Sequence, residues 1–218
     1  GPSYFIGNNA RSTGMYHPFN PTRPHPIYER KDFTSKAEKV LGRKLKPSEV
    51  SRYWFKMSFH YILEKPGEWA VLQFKKLLIF INNYEKADNY NYQFIKSLIP
   101  SLNLAFIPFG FIFAASMTAI VTRPWKEKQF QIFYIFITVY SLSVIMFYVN
   151  SRYRLPLVPA LLPFAGWFLA RGLSSAFKTS GFFLLVTLLI VAFFLYASFR
   201  TQHKYNFLQA HLNYGGIL

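Results

Sequence analysis

Hydrophobic and polar positions divide the chain near residue 98. Behind that point run long stretches without charge: 99–121 (23 residues), 130–149 (20) and 181–199 (19). A bilayer core of ~30 Å takes about 20 apolar residues in helical form, so each predicts a transmembrane helix. Leu155–Ala170 is a shorter stretch of 16 residues carrying Pro156, Pro159 and Pro163. It predicts a fourth span with an irregular start and a kink at Pro163, with a re-entrant segment as the alternative. The fold class expected is therefore all-α: a polytopic membrane protein with about four transmembrane helices preceded by a helical extracytoplasmic segment. The domains expected are 1–98 (loop and amphipathic helices), 99–199 (spans) and 200–218 (tail).

In front of residue 98 the pattern changes. Residues 1–33 are rich in Pro, Gly and Asn without helical period, which predicts extended loop. Thr34–Leu41 predicts a short helix stopped by Gly42. Pro47–Leu63 opens with Pro at a first helical position and Glu49 in the first turn. Its Val50, Trp54, Met57 and Tyr61, with Phe55 or Ile62, form an apolar stripe. Gly67–Asn82 predicts a third helix, apolar apart from Lys75 and Lys76 and suited to a membrane surface.

Composition sharpens this picture. Charged residues are 16% and aromatics 20%, against roughly 25% charged in an ordinary soluble domain. The 25 Lys+Arg and 9 Asp+Glu give a net charge of +16. All the acids but Glu127 precede residue 99. The bases do not cluster on an aromatic-studded patch, which argues against nucleic acid. Cys is absent, excluding disulfide scaffolds, thiolate zinc sites and cysteine nucleophiles. The loops 122–129 and 171–180 hold five positives against four on the other face, which orients them to the cytoplasm and the front segment outside. The chain begins Gly-Pro and reads as a piece of a longer protein in a bacterial plasma (inner) membrane.

Three constellations could carry chemistry. Asn150-Ser-Arg-Tyr-Arg-Leu-Pro156 sets Arg152 and Arg154 around Tyr153 between apolar segments. Guanidinium forks bind phosphate oxygens bidentately, so an anionic headgroup fits. The bland alternative is snorkelling or topology fixing. Glu85 and Asp88, with Asn89 beside them, share a helix face. Paired carboxylates can hold a divalent cation, bind sugar hydroxyls or act as a base, and a solvated helix end explains them equally well. Lys75 and Lys76 fit a lipid phosphate or plain headgroup anchoring. Gly7-Asn-Asn-Ala10 reads as a turn whose amides can bind hydroxyls. The five His show no metal spacing, and no phosphate-binding or hydrolase motif occurs.

Three runs resemble a known family. They are the Arg152–Pro159 run (RYRLPLVP), the Pro47–Trp54 run (PSEVSRYW) and the Asn82–Asn89 run (NNYEKADN). Together with the early Gly-Asn-Asn, they make residues 4–175 similar to the C-terminal portion of bacterial glycosyltransferase family 39 proteins. These are GT-C membrane enzymes related to protein O-mannosyltransferases and the lipid A aminoarabinose transferase. The resemblance implies transfer of a sugar from a polyprenyl-phosphate donor to an acceptor on the extracytoplasmic face. It places Arg152 and Arg154, helped by Lys75 or Lys76, at the lipid-linked phosphate, and Glu85 and Asp88 across the site. The family's catalytic carboxylate lies in an earlier loop with no counterpart here. An O-antigen ligase type of enzyme would share the phosphate site. A non-enzymatic polytopic protein that binds or transports an anionic lipid or solute is the other reading.

Overall fold

A computed structural model describes residues 1–20, 25–82, 98–99, 101, 108–122, 128–172, 188–193 and 195–196. Its elements are helical: α1 (Pro2–Gly7), α2 (Pro26–Leu41), α3 (Pro47–Glu64), α4 (Pro66–Ile81), α5 (Phe109–Thr122), α6 (Lys128–Met146) and α7 (Leu157–Trp167). A 3-10 turn at Ser151–Arg154 precedes α7 and a π turn at Phe168–Gly172 follows it. Among the described residues the β pairing is one isolated parallel bridge, Met15 with Val149.

The all-α expectation agrees with this architecture, but the membrane spans do not. No described helix is long and apolar enough to cross a membrane, which overturns both the polytopic architecture and the integral-membrane location. Among the described residues, the helices within these apolar stretches are short or open on polar residues. Helix α5 has 14 residues, about 21 Å at 1.5 Å per residue. Helix α7 has 11 residues before the π turn, about 16 Å. Helix α6 has 19 residues and opens on Lys128 and two glutamines. Most of 181–199 lies outside the described residues, and 188–193 is helical.

The chain divides into two compact units. The first joins Gly1–Leu77 to Ser141–Val149. Its helices α1 to α4 all start on proline, whose fixed φ and missing N–H suit the first helical position. This corrects the expected loop over 1–33, where α1 and the start of α2 are found. Helix α2 ends as expected, with Gly42 left-handed at φ 68°. Helix α3 is closed at its front by Glu49, whose carboxylate accepts from the Lys46 amide at 2.8 Å. Its buried face is Val50, Trp54 and Ser58, so Met57 of the expected stripe is exposed. Trp54 and Val50 pack on Phe33 and Ala37 of α2, and the Trp54 indole donates to the Phe33 carbonyl at 3.2 Å.

The second unit joins Leu78–Tyr140 to Asn150–Leu218. Its core is Ala115 and Ala119 of α5 against Phe164, Ala165 and Phe168. The alanines let α5 and α7 approach closely. Ser116 Oγ lies 2.9 Å from the Leu161 carbonyl and 2.7 Å from that of Ile112, so its one proton is held between the helices.

Candidate functional site

The first unit contains a buried polar cluster built on Asn8. Gly7 sets it up: a Cβ there would stand 1.7 Å from the Phe147 carbonyl oxygen, so only glycine admits this approach. Asn8 is fully buried. Its Nδ2 donates to the carbonyls of Tyr4 (3.0 Å) and Met146 (2.8 Å). Its Oδ1 accepts from Trp69 Nε1 (3.1 Å) and Lys76 Nζ (3.1 Å). Gln73 joins the cluster, with the two ends of its amide 3.0 Å from Asn8 Oδ1 and 3.2 Å from the Ile145 carbonyl. Trp69, Gln73 and Lys76 are spaced four and three apart on α4, so one helix face delivers all three.

Lys76 is 0% exposed, and no described carboxylate pairs with it. Burial lowers its ammonium pKa to about 7, because a charge taken out of water loses hydration that one amide oxygen does not restore. Lys75, its neighbour, is exposed. The structure therefore separates two lysines that the sequence treats alike. The sequence places Asn8 in a Gly7-Asn-Asn-Ala10 turn, and the structure puts its side chain at the centre of the cluster. The signal that could have found the cluster is the polar triplet at i, i+4 and i+7 of an otherwise apolar helix.

The second unit holds the Arg152–Arg154 turn. Tyr153 N–H donates to the Asn150 carbonyl at 3.0 Å, closing the 3-10 turn and sending the two arginines apart. Arg154 is 2% exposed. Its Nη1 donates to the Asn82 carbonyl, and its guanidinium carbon stands 5.0 Å from the centre of the Phe109 ring. Arg152 is exposed. Its guanidinium carbon lies 5.2 Å over the Tyr153 ring and Nη2 is 3.4 Å from the Tyr153 hydroxyl. The turn thus presents one guanidinium braced on an aromatic face and uses the other to anchor itself.

Glu85, Asp88 and Asn89 lie outside the described residues. Among the described residues no three His, Asp or Glu side chains gather as a metal site. Comparison with protein-family models, with curated proteins and with solved structures finds no match for this chain.

Proposed function

We propose that the chain is part of a glycosyltransferase that takes its sugar from a polyprenyl-phosphate donor, with Arg152 holding the phosphate. The supporting observation is the 3-10 turn, which keeps the Arg152 guanidinium exposed and oriented on Tyr153 while Arg154 fixes the turn from inside. Cleavage of the glycosidic bond leaves negative charge on the prenyl phosphate. A preorganised guanidinium stabilises that charge as it develops. By the family resemblance, the carboxylate that takes the acceptor's proton belongs to an earlier part of such an enzyme.

The test is calorimetric titration of the chain with farnesyl phosphate, a short prenyl monophosphate. Arg152→Ala removes a charge-assisted hydrogen-bond donor and should weaken binding roughly ten-fold. Equal affinity in the wild type and the variant overturns the assignment. Binding that depends on Arg152, with no sugar transfer in any longer form of the protein, would favour a non-enzymatic receptor for anionic prenyl lipids.

A further inference from the structure

A concavity lies wholly within the first unit. Its volume is about 690 Å³, within the several-hundred-Å³ range of small-molecule sites. Phe5, Phe19, Tyr53, Trp54 and Tyr61 supply aromatic lining, and Arg11 and Lys36 are among the charged residues that line it.

The charges around it are unevenly committed. Glu64, the acid of the lining, is 3.0 Å from His60. Lys65 is 2.8 Å from Glu68. Arg11 and Lys36 make no ion pair with any described residue, and both are exposed. Arg11 is carried on a fixed turn. Its backbone N–H donates to Asn9 Oδ1 at 2.8 Å, and Ser12 Oγ donates to the Gly7 carbonyl at 3.0 Å. The Gly7-Asn-Asn run therefore places Arg11 at the pocket as well as building the Asn8 cluster. Burial, with the nearby Glu68 charge, pushes the Tyr61 hydroxyl pKa up.

Two uncommitted cations beside a wall of aromatic faces match one kind of ligand: an anion attached to a ring with an apolar face. A planar guanidinium and an ammonium recognise phosphate oxygens, and aromatic side chains take up the ring by stacking. We propose that this pocket binds a phosphate monoester carrying a ring, with the phosphate on Arg11 and Lys36 and the ring against Tyr53 and Tyr61. Sugar phosphates and nucleoside monophosphates share this chemistry. The proposal is independent of the role given to Arg152.

The full chain is titrated with glucose 1-phosphate, uridine monophosphate, inorganic phosphate and glucose, with helix content of each variant checked by circular dichroism. At least one ester should bind saturably, at least ten-fold more tightly than inorganic phosphate or glucose. The ester that binds tells the sugar from the nucleotide source. Arg11→Ala and Lys36→Ala should each weaken it about ten-fold, Tyr53→Leu should weaken it with the fold kept, and Arg152→Ala should leave it unchanged. The proposal is overturned if neither ester binds at about 10 mM, a concentration about ten-fold above a Kd of 1 mM. It is equally overturned if inorganic phosphate binds as well as the esters, if the Arg11 and Lys36 variants bind normally, or if Arg152→Ala abolishes binding.

Discussion

Lys76 shows how one residue can set the pH response of its surroundings. In the unfolded chain its amine titrates at the ordinary value, 10.5, and in the folded protein at about 7. Between these values the unfolded chain holds the extra proton. Stability therefore rises with pH across the window and is flat for this group below about 7. The slope at mid-window is roughly 1.4 kcal/mol per pH unit. Denaturant midpoints measured from pH 6 to 10 should climb, and Lys76→Met should remove the rise while stabilising the protein at pH 6. An unchanged slope in the variant would place the titration elsewhere. Gly7 and Asn8 carry sharper costs. Gly7→Ala drives a methyl into the Phe147 carbonyl and should cost about 3 kcal/mol. Asn8→Ala leaves the Trp69 and Lys76 donors without their acceptor and should cost about as much. Both are read from urea unfolding.

At the scale of the element, helix ends were the most legible part of the chain. Gly42 stops α2 in a left-handed conformation with no atom near enough to obstruct a Cβ. Gly42→Ala should therefore cost only the backbone penalty, about 1 kcal/mol, and a much larger loss would mean that the surroundings had been misread. Pro47 and Glu49 announced α3 correctly. Pro2 and Pro26 open helices in the same way, but the Pro, Gly and Asn around them imitate loop composition. A proline that opens a helix and one that prevents a helix look alike until the residues after it are packed. The stripe of α3 shows a related limit. Val50 and Trp54 are buried as periodicity predicts, but the third buried position is Ser58 rather than Met57. The Ser58 hydroxyl turns back to the Trp54 carbonyl at 3.2 Å, a satisfaction that a hydrophobicity pattern cannot register.

For the whole molecule, the apolar content foretold helices but not their lengths. Continuous hydrophobicity between charges looks like a span, whereas among the described residues α6 ends before the Asn150–Pro156 turn and α7 passes into a π turn after Trp167. The candidate site was half legible. Arg152, Arg154, Lys75 and Lys76 stand out by residue type, but the sequence offers no means of telling which of each pair is buried. That distinction needs long-range partners: the Asn82 carbonyl and Phe109 for Arg154, and Asn8 for Lys76. Burial separates the two arginines: Arg154 anchors the turn from inside, and Arg152 stays exposed, the one to which the proposed function gives the phosphate.

The measurement closest to that division is thermal unfolding of the wild type, Arg152→Ala and Arg154→Met, each with and without farnesyl phosphate. Arg154→Met should lose about 3 kcal/mol, because the buried Asn82 carbonyl is left without its donor. Arg152→Ala should melt like the wild type without ligand, as exposed charges contribute little to stability. Saturating prenyl phosphate should raise the wild-type melting temperature and leave that of Arg152→Ala in place. An equal rise in the wild type and Arg152→Ala would contradict the account.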